Sequence, residues 1–132
     1  MTRPHLLIVA NDSDFGRRAL HVGEEIALEK GWDVAILSTE ADGHGPAPED
    51  LPIDQAKLEA AGAHITFIPP SPTIHDAGDQ AIAVAQETQP DLIVLGIRRR
   101  SRVGKLLMGS VAQKILLEVD CPVLVVKATE HA

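Results

Sequence analysis

Five short apolar segments punctuate the chain, and between most of them the apolar positions switch to a helical spacing. Leu6–Ala10 (LLIVA) carries no polar alternation, as expected of a strand buried on both faces. Beyond Asn11-Asp12-Ser13, Phe15, Ala19, Val22 and Ile26 recur at spacings of four, three and four, with Arg17, Arg18, His21, Glu24 and Glu25 on the opposite side. That pattern predicts an amphipathic helix, stopped by Gly31. Asp33–Leu37 (DVAIL) predicts a second strand, and the Gly-, Pro- and acid-rich stretch from Glu40 to Pro52 a mobile loop. A short helix over Asp54–Ala61 ends at Gly62, and His64–Ile68 forms a third strand. The Pro69-Pro70-Ser71-Pro72 run interrupts regular structure before a helix over Asp76–Thr88. Pro90 precedes a fourth strand, Asp91–Leu95 (DLIVL); a last helix opens at Ser110, and Pro122–Val126 (PVLVV) closes the series.

Strands that alternate with helices pair in parallel through right-handed crossovers. The expected fold is therefore a doubly wound α/β sheet of five parallel strands in the order 3-2-1-4-5, with helices on both faces. Residues 1–132 fit one domain, and no repeat or linker divides them. In such a sheet a ligand binds beyond the carboxyl ends of the strands, where the winding reverses. Strands one and four flank that crevice, and the loops lining it are Asn11–Ser13 and Gly96–Gly109.

Composition sharpens this picture. The hydrophobic share of 45% suits a globular core, which must be built from aliphatic residues because Trp32, Phe15 and Phe67 are the only aromatics. A net charge of −7 argues against nucleic acid and anionic membranes as partners. Against it, Arg98, Arg99, Arg100, Arg102 and Lys105 cluster beside the expected crevice. Cys121 is a lone cysteine, read as a packed residue beside Pro122, and the six histidines lack metal-ligand spacing. No signal peptide or membrane-spanning run is present in the sequence, so a soluble, cytoplasmic protein is expected.

Gly109-Ser110-Val111-Ala112-Gln113 reads as a glycine followed by a Ser-x-x-Gln capping box. The free amides and dipole at such a helix start suit an anion such as phosphate. Neither a Gly-x-Ser-x-Gly elbow nor a Walker-type Gly-Lys-Ser occurs. Hydrolase or kinase chemistry thus has little support in the residues, and a binder is favoured over an enzyme, with weak hydrolysis the most left open. Asp12 and Asp14 are read as helix-starting residues, with a magnesium ion near the phosphates as the other role open to them.

From Asp91 the chain reads DLIVLGIRRRSRVGKLLMGSVAQKILLEVDCPVLVVK. This resembles the C-terminal half of universal stress protein domains, whose signature is Gly, two residues, Gly, nine residues, then Gly-Ser or Gly-Thr before a helix and a Cys-Pro-Val-Leu-Val-Val-like strand. HLLIVANDSDFGRRAL is similar to the family's first strand and helix. Some members bind ATP in the crevice and others do not. Carried over by position, the resemblance implicates Asn11, Gly96, Gly109, Ser110 and Val111, with Thr39 on the adenine side. It implies an ATP or other adenine-nucleotide sensor in stress adaptation, forming a homodimer through its last strand, Pro122–Val126. The alternative is a dimeric interaction module of the same family that carries no nucleotide.

Two positions depart from the pattern. Asn11 replaces the family aspartate, keeping an acceptor oxygen but no charge. Arg99 stands where the second signature glycine belongs. A left-handed backbone there would cost an arginine roughly 1–2 kcal/mol, against about 1.5–3 kcal/mol from one charge-assisted bond to phosphate. Arg99 is therefore read as an anion contact, the competing readings being a steric block and a solvated basic loop.

Overall fold

The computed structural model describes residues 3–10, 14–38, 50–69, 71–99 and 109–129. Its strands are β1 (His5–Ala10), β2 (Asp33–Ser38), β3 (Ile65–Ile68), β4 (Leu92–Arg99) and β5 (Val123–Thr129). The helices between them are α1 (Asp14–Lys30), α2 (Gln55–Ala60), α3 (Ala77–Thr88) and α4 (Ser110–Glu118). All four pairings are parallel, and the order across the sheet is β3-β2-β1-β4-β5. This is the doubly wound sheet that the alternation of patterns predicts.

Side chains alternate across the central strands, and both faces are covered. Leu6, Ile8, Val34, Ile36 and Val94 form one core with Ala19, Leu20 and Ala27 of α1 and Leu58 of α2. Leu7, Val9, Leu37, Ile93, Leu95 and Ile97 form the other with Ala81 and Ala85 of α3 and Ala112 and Ile115 of α4. Continuous apolar runs are what such doubly covered strands require.

Local chemistry ends and starts the helices. Gly31, at φ +68°, takes the left-handed conformation that stops α1, and its amide donates to Ala27 O at 2.7 Å. Asp54 caps α2 by accepting the Lys57 amide at 3.0 Å, and Asp76 caps α3 by accepting that of Asp79 at 2.9 Å. The buried Gln80 side chain accepts the Ser71 amide and donates to Ile74 O. It thereby ties the turn after β3 to the first turns of α3.

One expectation needs correction and one needs refinement. The fourth strand does not stop at Leu95, because β4 and β5 pair residue for residue out to Arg99 and Thr129. Ile97 is still core, and backbone pairing with β5 carries the strand beyond it through the polar Arg98 and Arg99. The described end of the stretch reaching Pro52 is loop as expected, but it is anchored: Leu51 is buried in the core with α1 and α2, and just beyond it the Asp54 amide donates to Glu24 at 2.9 Å. The remainder of that stretch, residues 40–49, lies outside the described residues.

Candidate functional site

The winding reverses between β1 and β4. These strands are neighbours, with Val9 opposite Leu95, yet α1 covers one face of the sheet and α4 the other. Chains leaving adjacent strands for opposite faces open a crevice at the carboxyl end. Gly96, buried and opposite Val126 of β5, is the next residue of β4 toward that crevice. It is a strand residue and not part of a loop.

Arg99 ends β4 in extended conformation. Gln89 is the only non-glycine residue with positive φ among the described residues, so the left-handed penalty weighed for Arg99 does not arise. Asn11, Thr39 and the basic residues Arg100, Arg102 and Lys105 lie outside the described residues.

Gly109, Ser110 and Val111 form the start of α4, on the return from the carboxyl end of β4. The capping box expected of Ser110 and Gln113 is not what starts this helix. Gly109 is the N-cap, with ψ 165°, and its carbonyl accepts the Gln113 amide at 3.1 Å. A serine caps only from the extended position that Gly109 occupies; Ser110 is already helical. Glycine has no side chain to return to the helix, and no side-chain cap bond forms. The amides of Ser110, Val111 and Ala112 precede the first helical bond and have no carbonyl within the helix to meet. The side chain of Val111 is partly buried against the core shared with α3. A Cβ placed on Gly109 would meet nothing within 4 Å among the described residues.

One group near this helix start escaped the sequence patterns. Lys114 Nζ lies 3.3 Å from Asp76 Oδ1 and 3.1 Å from Asp79 Oδ1, so α4 is ion-paired to the first turn of α3. The Asp79 amide, opposed by partial desolvation and aided by Lys114, holds the Asp76 carboxyl below its ordinary range. Bonds to Asp79 and then Asp76 raise the Lys114 ammonium. No local pattern marked it: Lys114 lies in the middle of α4, and its acidic partners are set by how α3 and α4 pack.

At the opposite end of the sheet, a cleft of about 330 Å³ lies between the ends of α3 and α4, lined by Gln86, Gln89, Glu118, Asp120 and Cys121 among others. Burial, aided by Asp120 and Asp91 and opposed by a backbone hydrogen bond, raises the Cys121 thiol above its ordinary 9.0. Among the described residues no three His, Cys, Asp or Glu side chains gather as a metal site, and no helix is long and apolar enough to cross a membrane.

Comparison with known proteins bears on this geometry. Residues 2–127 match the profile of the Universal stress protein family. A universal stress protein of Mycolicibacterium smegmatis is 33% identical over 128 residues, covering 92% of this chain and 97% of its own. The structure of a universal stress protein from Archaeoglobus fulgidus superposes with a TM-score of 0.69 at 27% identity, over 96% of this chain and 100% of that one. A universal stress protein from the same organism, solved in complex with dAMP, has a TM-score of 0.61 at 22% identity, over 96% of this chain and 98% of that one. At that identity the likeness is one of fold.

Proposed function

Because this chain belongs to the universal stress protein family, we propose that it binds an adenine nucleotide, foremost ATP, in the crevice between β1 and β4. In this reading it is a cytoplasmic, nucleotide-responsive regulator of stress adaptation. The observation that carries the reading is the start of α4: a glycine N-cap gives the first-turn amides no side-chain acceptor, and such a helix start suits an anion. The dAMP complex of the Archaeoglobus neighbour supports an adenine nucleotide as the ligand class.

The division of labour follows from chemistry. The amides of Ser110 and Val111 and the Ser110 hydroxyl hold phosphate oxygens, while Gly109 keeps the approach clear. Gly96, without a side chain, leaves room at the strand end, and Arg99 adds a two-donor grip on phosphate. Asn11 and Thr39 serve the nucleoside, and magnesium accompanies ATP. Mass spectrometry of small molecules released from the freshly purified protein, followed by calorimetric titration with ATP and dAMP, tests the proposal. An adenine nucleotide in the first and saturable heat in the second are expected. Absence of both overturns it.

A second reading, a homodimeric interaction module, is favoured by the sheet edge. Among the described residues β5 pairs only with β4, and Leu124 on it is 37% exposed. An open edge with an apolar side chain suits self-complementary pairing with a second copy. Light scattering at micromolar concentration is expected to give a dimer, and Leu124→Lys to weaken it. A monomer at that concentration would remove this reading.

A further inference from the structure

We infer that Asp76, Lys114 and Asp79 form a clamp that positions the first turn of α4 against α3. Its functional half, that the clamp aims the phosphate-binding amides, rests on the nucleotide reading above; its geometric half does not. The first turn of α4 has no side-chain cap of its own, so contacts from outside the helix must hold it. Ala112 and Ile115 pack it onto the sheet, an attraction that is itself non-directional. Lys114 adds direction. It stands four residues after Ser110 and three after Val111, on the same helical face. From there its ammonium reaches two carboxylates of α3 at 3.3 and 3.1 Å.

Gly78 makes this reach achievable. A Cβ there would lie 3.0 Å from Lys114 Cδ and 3.3 Å from Lys114 Cβ. The lysine stem therefore lies across the one residue of that turn with no side chain to displace it. Asp76 is also the N-cap of α3, so the clamp joins the start of α3 to α4 one turn in from the latter's own start. Exposed ion pairs contribute little to global stability, and these three side chains are about half exposed. The clamp's effect is thus expected in the placement of amides, whose bonds to an anion weaken steeply with misalignment.

The test uses three variants of the full chain. Lys114→Met keeps the stem and removes the charge, Lys114→Arg keeps the charge, and Asp79→Asn weakens the carboxylate side without touching the Asp76 cap. The first readout is hydrogen exchange at the Gln113 amide, which closes the first bond of α4 onto Gly109. Lys114→Met and Asp79→Asn are expected to speed it roughly twofold to fivefold, non-additively when combined, while Lys114→Arg stays near the natural protein. Unchanged exchange in Lys114→Met overturns the clamp, whatever the ligand results. The second readout is ATP affinity, expected to fall in both charge-removing variants and to be retained in Lys114→Arg. Stronger ATP binding in Asp79→Asn would overturn positioning, since it would mean that Lys114 is a direct phosphate ligand released from a competitor. If the natural protein binds no ATP, the nucleotide reading fails alone and the exchange data still decide the clamp.

Discussion

His5 and Asp91 bond each other twice: the His5 amide donates to Asp91 Oδ2 at 3.0 Å, and the Asp91 amide donates to His5 O at 3.0 Å. This reciprocal pair sits where β1 and β4 begin, immediately before the register Leu6–Leu92. A related arrangement opens β2 and β3: Asp33 Oδ1 accepts the His64 amide at 2.9 Å, and the return bond runs from the Val34 amide to His64 O at 2.8 Å. Each aspartate satisfies a strand-end donor that the ladder leaves over. The two strands that flank the crevice are therefore locked in register from their far end.

Asp91→Ala should remove that acceptor and destabilise the fold by about 1 kcal/mol. Asp91→Asn should cost distinctly less, because its carbonyl oxygen can still accept. Urea midpoints of the two variants make the comparison, and equal losses would assign the effect to charge instead.

Gly23 marks the close approach of α1 to β1. A Cβ there would collide with the Ile8 side chain, 2.8 Å from Cγ1. Alanine would gain up to about 1 kcal/mol of helix propensity over glycine, but overpacking costs typically 1–3 kcal/mol. The steric cost wins, so Gly23→Ala is expected to lower the urea midpoint. A stabilised variant would show that α1 can lift from the sheet at little cost.

Ser110→Ala and Gly109→Val separate folding from binding. Ser110 is not the cap, so its loss should change stability by less than the roughly 1 kcal/mol that removing a cap costs. Gly109, at φ −67°, has a conformation open to any residue, with room for a Cβ among the described residues. Both variants are expected to fold, with Ser110→Ala binding ATP more weakly and Gly109→Val scarcely at all. Calorimetry on the folded variants checks this, and undiminished affinity in both would move the site away from α4.

Arg99→Gly tests the departure from the family signature. Arg99 lies in an extended strand, so no backbone penalty offsets the 1.5–3 kcal/mol or so that one charged bond to phosphate supplies. Glycine there should weaken ATP binding about tenfold or more and flatten its salt dependence. Titrations at two salt concentrations give the answer; a gain in affinity would mean that the arginine blocks the site.

Cys121 should react slowly. Its raised thiol stays protonated in the folded chain, and only the thiolate is an effective nucleophile. Labelling at neutral pH is expected to be slower in the native than in the urea-unfolded protein. The linkage has a definite sign: above 9.0 the unfolded chain holds fewer protons than the native one at this group. Its contribution to stability therefore falls as pH rises beyond that value. Cys121→Ala should remove that part of the alkaline loss, which urea midpoints across the alkaline range would register.

The sequence by itself determined the features written in local patterns. Unbroken aliphatic runs mark strands covered on both faces, as Leu6–Ala10 is. Spacings of three and four mark α1, and Asp54, Asp76 and Gly31 mark helix ends by chemistry that acts within a turn. The alternation of elements then leaves few topologies, so the crevice between β1 and β4 was legible before any coordinates. The tertiary structure alone decided what depends on neighbours distant in the chain. β4 runs on through the polar Arg98 and Arg99 because β5 supplies hydrogen-bond partners there. Leu51 is core because α1 and α2 meet over it. Ser110 and Gln113 spell a capping box, yet the backbone placed the cap one residue earlier, on Gly109. Lys114 gains its role only when Gly78 brings α3 within reach. Side-chain periodicity records which face of an element is buried; backbone pairing and helix–helix approach are non-local, and they settle where elements end and which charges meet.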